Sequence, residues 1–446
     1  AIGFTAMSAN TTGTQNVSVG EESLLTNTTG GQNVAIGSEA MKANTTGSNN
    51  VALGRNALKA NTTAANNVAL GMDTLNANTT GTRNLAIMKN ALNSSDTEND
   101  NLAIGYDAMT TDTAGGEENI AIGNYALDAN TSGSANVGLG HNSLSANTTG
   151  SSNTALGRHA MVTNTTGASN VAVGRMALQA NTTGSSNTAV GRDALLTNDT
   201  GTRNTCIGFE AGKVITSSQR NVAVGYQALL AHTTGNRNVG VGDGAGVAVI
   251  GGANNTFIGD GAGYSVTTGD RNLVIGQGHT TATVGGDNQM NILGHIIGDA
   301  GQITMPSQPA FNIGANSTQS NKSVGGEHVV LFADEIFDVG SNVADSYFTA
   351  PVTGKYQLTT NVRFDNIDSA AAYYQIRIVT SNRAYYSIVD PDFGQDNVYW
   401  SVCYSVLADM DANDTAYVGF FQSGGAAQTD IDGDAKYTNF SGHLAC

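Results

Sequence analysis

The chain has 446 residues, of which 12% are charged, 6% are aromatic and 56 are glycine, too few large apolar side chains for an ordinary globular core, so a periodic architecture must supply one. A formal net charge of −17 repels nucleic acid and anionic lipid, and disfavours a polyanionic partner unless divalent cations bridge the two. No run approaches the ~20 apolar residues of a membrane helix, and no signal segment opens the chain.

The sequence starts without Met and partway through a repeat, at Ala1-Ile2-Gly3, which suggests the distal part of a longer protein. Aligned on Asn-Val-Ala-Ile/Leu-Gly, the anchor glycines run from Gly3 and Gly20 through Gly54 and Gly174 to Gly276 and Gly294, with Met88 replacing one; the spacing is 17, and twice 18. Such a period signals stacked units, each too small to bury its own apolar face. Val51 and Leu53 alternate with Ala52 as in a short strand, and Ala57-Leu58 supplies a second apolar segment after the Gly54 bend. Two short strands and two turns per coil are therefore expected, with Asn44-Thr45-Thr46-Gly47 as one such turn and Val171 at a buried position. A roll this thin leaves apolar side chains uncovered, and association around an axis would cover them. An Asn stands four residues before every anchor position from Gly20 to Gly276, Met88 included, Asn50 and Asn170 among the 16. The series predicts a stacked amide ladder, and the glycines a backbone that needs positive φ or close approach.

The Asn-Val-Ala-Ile-Gly-x-x-Ala pattern over residues 1–294 resembles the repeat of trimeric autotransporter adhesin heads. The resemblance implies a trimeric left-handed parallel β-roll, although the units here are longer than is usual in that family. Cys206 takes a slot otherwise held by Ala, so it reads as a packing residue. After Gly208 the Asn-Thr-Thr-Gly turns thin out and Ala211-Gly212, Ala245-Gly246 and Ala262-Gly263 enter, which predicts altered packing. Residues 295–306 read as a neck.

Residues 307–446 form a different domain. Only 7 of the 27 aromatics precede residue 300, and this last segment carries 16 acidic against 6 basic side chains. Longer alternating strands such as Tyr356–Val362 and Trp400–Val406 predict an antiparallel sandwich. Pro309-Ala310-Phe311, the stretch from Phe348 to Tyr356 and Asn439-Phe440-Ser441-Gly442 resemble the complement-one-q (C1q/TNF-type) globular head. That family implies a trimeric jelly roll.

Candidate binding residues are the loop acids Asp390, Asp392 and Asp396 with Asn397, the cluster Asp409, Asp411 and Asp414, and Tyr385. The pairs Tyr373-Tyr374, Tyr385-Tyr386 and Tyr399-Trp400 offer flat faces for sugars, or place one ring of each pair in the core. Asp430, Asp432 and Asp434 are candidate ligands for a divalent ion such as Ca2+, although the spacing fails as an EF-hand loop. Nothing points to catalysis, because the 7 histidines are scattered and no Ser-centred elbow occurs.

The expectation is an all-β, extracellular, trimeric fibre without enzymatic activity: a solenoid shaft with a C-terminal jelly-roll head that touches a surface glycan or protein. A jelly roll at the C-terminal tip matches the polarity of bacteriophage tail fibres, which are held through their N-terminal region on the virion. A secreted or surface bacterial adhesin is the alternative, and an ice-binding Thr array a minor one.

Overall fold

A computed structural model describes residues 1–111, 115–294, 296–299, 302–304, 308–392 and 397–445. It divides into two compact units, Ala1–Ile303 and Thr304–Cys446, the division falling inside the expected neck. All regular elements among the described residues are β-strands. Asp396 and Cys446 lie outside the described residues.

The first unit is a parallel β-solenoid. Its 17 three-residue strands, β1 (Val17–Val19) to β17 (Met290–Ile292), stack in register, Val51 beside Val68 and Val171 beside Thr188. The offset widens once, where Leu102 lies beside Ile120. The second long spacing expected from the glycines does not occur: Ile275 pairs with Ile292, so Leu293 (φ 52°) fills the anchor slot and Gly294 follows it. The chain then reverses into β18 (Ile296–Asp299), antiparallel to β17, and continues to β19 (Gln302–Thr304).

Each coil carries one strand, not two. The segment around Ala57-Leu58 instead alternates left- and right-handed backbone, with Asn56 at φ 60° and Leu58 at φ 55°. That alternation splits its amides between two tasks. Ala57 and Lys59 N–H close turns on Gly54 and Asn56 carbonyls, while Leu58 and Ala60 N–H donate to Thr74 and Asn76 of the next coil. Left-handed backbone costs a non-glycine residue roughly 1–2 kcal/mol, and satisfying every amide in so narrow a coil offsets that cost.

The strand also presents its faces the other way round from the expectation. Ala52 and Ala172 are fully buried, whereas Leu53 is 47% exposed and Val171 only half-buried. The interior is so narrow that the inward strand position admits Ala, and Leu58 from the turn segment fills the remaining volume. After Gly208 the filling changes sides. Gly212, Gly246 and Gly263 replace the Leu, and Ile215, Val249 and Val266 enter the core from the opposite turn, with Phe257 at an Ala slot. Cys206 is buried in this stack, and burial pushes its thiol pKa up.

Two polar columns run through the solenoid. In the first, Oδ1 of Asn33 accepts the backbone N–H of Asn50 (3.0 Å), while Nδ2 of Asn50 donates to Ala64 O (2.8 Å); Asn170 repeats the pattern with Asn153 and Gly184. The second consists of the turn asparagines: Nδ2 of Asn147 donates to Oδ1 of Asn130 (2.9 Å), and Nδ2 of Asn164 to Oδ1 of Asn147 (2.8 Å). It breaks at Ser95, where the buried Glu98 carboxylate takes over and accepts from Ser95 Oγ and from Asp96, Thr97 and Gly115 N–H. Gly54, at φ 142°, closes the strand so tightly against the next coil that a Cβ would run into Gly71 O.

The second unit is an antiparallel jelly roll. One sheet contains, side by side, β20 (Ala310–Gly314), β32 (Asn439–Leu444), β26 (Gly354–Ile367) and β29 (Asn397–Met410). β21 (Gln319–Lys322), β23 (Asp334–Val339) and β31 (Thr429–Ile431) extend its edges. The other sheet orders β24 (Val343–Ala344), β25 (Tyr347–Thr349), β30 (Thr415–Gly424), β27 (Ala371–Thr380) and β28 (Ala384–Val389), with β22 (Glu327–Val329) also paired to β30. The first and last strands of the two sheets, β20 and β32, lie adjacent in one of them. The core is aromatic: Phe311 stacks on Phe348 (4.5 Å), Phe364 lies 4.9 Å from Phe420, and Phe440 meets Phe311 edge-on at 5.0 Å. Gly442 is required between them, since a Cβ would come within 2.7 Å of both Leu358 and Phe311.

Candidate functional site

The repeats offer the same small polar residues coil after coil, so individual chemistry is concentrated in the jelly roll, whose loops are the natural place for binding groups. β26 is 14 residues long, roughly 40 Å of strand, and the two predicted loops lie at its opposite ends. β29 begins at Asn397, beside Ile367, and finishes at Met410, beside Gly354. Asp390 and Asp392, which follow β28, therefore sit at the Ile367 end, and Asp409, Asp411 and Asp414 at the Gly354 end. The two acidic groups do not form one site.

At the Gly354 end a recess of about 460 Å3 is lined by Thr353, Gly354, Lys355, Asn382, Asp409, Met410 and Asp411. Asp414 organises it: its Oδ2 accepts the backbone N–H of Asp411 (2.8 Å) and Nδ2 of Asn382 (2.5 Å), tying the β29–β30 turn to the β27–β28 turn. Thr353 Oγ1 accepts from Ala412 N–H (3.1 Å). Asp409 remains 84% exposed, with Lys355 Nζ 4.0 Å away. Carboxylates, an amide, a hydroxyl and an ammonium around a shallow recess suit the hydroxyl groups of a glycan better than an apolar ligand. Tyr385 is not in this lining; it is half-buried against the core with Arg383 over its ring at 5.7 Å.

At the other end, Asp390 Oδ1 accepts the N–H of Asp392 (3.2 Å) in an exposed turn. Asp430, Asp432 and Asp434 are not gathered around a common point. Asp430 accepts from Asn321 N–H and Asn366 Nδ2, Asp432 from Asp434 N–H, and Asp434 from Lys436 N–H. Their oxygens are taken up by turn amides, and among the described residues no group of three or more His, Cys, Asp or Glu is placed to hold a metal ion.

Sequence reasoning missed Arg363. Its guanidinium lies between the rings of Tyr399 (4.7 Å) and Tyr437 (4.8 Å), with Asp365 at 3.1 Å and Asp432 at 3.6 Å. The alternation of β26 puts Arg363 and Asp365 on one outward face, a signal that was legible, but Tyr437 and Asp432 come from a distant loop. Of the aromatic pairs, Tyr374 is buried and Tyr373 half-buried, Tyr385 packs on the core while Tyr386 is exposed, and Trp400 packs inward while Tyr399 is exposed.

No family model matches the sequence, and no curated protein matches it either. Among solved structures, the globular domain of zebrafish complement 1qA protein is similar at 17% identity, covering 31% of this chain and 98% of that one, with a TM-score of 0.24. Murine APRIL is similar at 13% identity, with the same coverage and a TM-score of 0.24.

Proposed function

We propose that this chain is a homotrimeric, non-enzymatic attachment fibre, in which the solenoid is a stiff spacer and the jelly roll recognises a glycan or protein on a cell surface. A bacteriophage tail fibre on the virion is the first reading, and a secreted or surface bacterial adhesin the second. The observation that carries the trimer is the outward strand face. Ile36, Leu53, Leu139, Leu156, Ile207 and Ile258 are each 37–47% exposed and stand in one column along the stack, a longer apolar stripe than isolated soluble chains usually leave open. Recognition is assigned to the jelly roll because the Asp409–Asp414 recess and the Arg363–Tyr399–Tyr437 cluster are built from residues that occur once. The ice-binding reading loses support, since the first Thr of each turn is engaged: Thr45 Oγ1 donates to Thr62 O (3.0 Å), and Thr148 Oγ1 to Thr165 O (3.0 Å).

Light scattering on the purified protein should give three times the chain mass, and a folded monomer at micromolar concentration would refute the trimer. For recognition, residues 1–303 and 304–446 are compared as competitors of the intact protein for binding to cells. Competition by the solenoid and none by the jelly roll would move recognition to the repeats.

A further inference from the structure

Each strand of the solenoid is bordered by two edge positions, exposed at Arg203, Arg220, Tyr226, Arg237 and Asp243 and half-buried at Phe209. One precedes the ladder Asn and the other follows the anchor residue: Arg237 and Asp243 flank β14 (Val239–Val241), Arg220 and Tyr226 flank β13 (Val222–Val224), and Arg203 and Phe209 flank β12 (Thr205–Ile207). The three arginines stack directly above one another at φ 58–59°, like charges about one strand spacing apart. Elsewhere in this column the arginines find a partner in the next coil, Arg83 the Asp100 carboxylate at 2.6 Å and Arg271 Oδ1 of Asn288 at 2.7 Å. No carboxylate of the same chain forms an ion pair with Arg203, Arg220 or Arg237 among the described residues, and Asp243 is likewise outside every ion pair. Arg237 and Asp243 are six residues apart, up to roughly 20 Å along the strand direction, and they border opposite sides of the same apolar stripe.

We propose that these two edges meet between subunits, so that Arg237 of one chain pairs with Asp243 of its neighbour in the same layer, directly below which Arg220 and Arg203 meet the Tyr226–Phe209 stack. This rests on the trimer reading and adds its register. In a three-fold ring with its axis along the stack, the interface is heterologous: one edge of each chain faces the opposite edge of the next at equal height. The whole solenoid is compatible with that register. From β1 to β16 the two edge residues of a layer are never both acidic, and they are both basic only at Arg83 and Lys89, where Arg83 is already held by Asp100. Where the second edge is basic, at Arg158, Arg175 and Arg192, the first offers Ser152, Ser169 and Ser186. Phe209 and Tyr226 are stacked at 5.3 Å, and Arg192 of the same chain already lies over the Phe209 ring at 5.2 Å, so the exposed Tyr226 ring with its phenol is the surface this stack leaves for the neighbour's guanidinium groups.

Charge reversal in the full chain tests the register, with sedimentation measuring trimer dissociation and circular dichroism confirming that each exposed-site variant is folded. Arg237→Glu and Asp243→Arg should each weaken the trimer roughly tenfold or more, and the double variant should recover most of that loss. A trimer in which the two reversals are silent, or merely additive, overturns this register and leaves the trimer standing. A wild-type chain that sediments as a monomer overturns both.

Discussion

Oδ1 of Asn136 accepts the backbone N–H of Asn153 at 3.0 Å, from the adjacent coil 17 positions along the chain. Nδ2 of Asn153 in turn donates to Gly167 O (2.8 Å), and its Oδ1 accepts the backbone N–H of Asn170 (3.0 Å). One side chain thus satisfies a buried carbonyl of its own turn and a buried amide of the next coil. Asn153→Ala should cost about 2–6 kcal/mol, the range for two buried groups left without partners, read as a loss of urea resistance with faster amide exchange at Asn170. Unchanged exchange there would show that water replaces the side chain.

Adjacent substitutions on one strand should separate folding from assembly. Ala172→Asp buries a carboxylate in an interior with no counter-charge and should destabilise the coil by more than about 4 kcal/mol. Val171→Asp, on the outward face, should leave a folded chain but reduce its association. If both variants fold and assemble alike, the assignment of inner and outer faces is wrong.

Asp128 gives the solenoid a pH signature. Its Oδ1 lacks a hydrogen-bond partner and faces a recess lined by Tyr125, His141, Asn142 and Ser145. Burial, with the Asp107 carboxylate adding to it and the Asp128 and Ala129 amides opposing it, pushes its pKa up to about 6. The folded chain therefore holds a proton between pH ~4 and ~6 that the unfolded chain has released, so this contribution to stability is full below pH ~4 and is lost as pH rises through ~6. For a half-exposed group the effect is on the order of 1 kcal/mol. Thermal melts of wild type and Asp128→Asn across pH 4–7 should diverge over that window; parallel profiles would count against it.

In the jelly roll, Asp414 and Asp409 should behave differently. Asp414→Ala unties Asp411 from Asn382 and should lower stability by about 1–3 kcal/mol as well as attachment. Asp409→Asn touches an exposed carboxylate and should alter attachment alone, measured as cell binding at equal melting temperature. Equal attachment in both variants would remove this recess from recognition.

The sequence made the solenoid legible because its period is enforced by chemistry that tolerates few substitutes: an amide at Asn50 and its equivalents, and no Cβ at Gly54. What it concealed was direction. A three-residue strand with Ala between two larger residues reads equally well with either face inward, and only the width of the coil decides that Ala52 is inside and Leu53 outside. The second ladder, Asn10 to Asn78 and again Asn130 to Asn198, hid inside what read as a turn motif. In the jelly roll the strands and their core aromatics were readable from alternation. The separation of Asp390 from Asp409 was not, since it depends on which ends of β26 and β29 meet. Arg363 escaped for a similar reason: its partners Tyr437 and Asp432 lie some seventy residues away, joined to it by sheet topology alone.

In-register stacking has a consequence for how this chain can change length. Each strand between β1 and β17 bonds only to the strand before and the strand after it, at matching positions, so the solenoid behaves as a chain of near-identical links. Removing residues 153–169 would present Asn136 directly to Asn170, with Val137 opposite Val171, and every hydrogen bond across the new seam would have an equivalent partner. Whole coils can thus be lost or gained by recombination between repeats without redesign of either neighbour. Insertions of other lengths change the offset between neighbouring strands, as in the step of 18 from Leu102 to Ile120. Reach is therefore the property this architecture can alter most readily, in increments of about 4.8 Å.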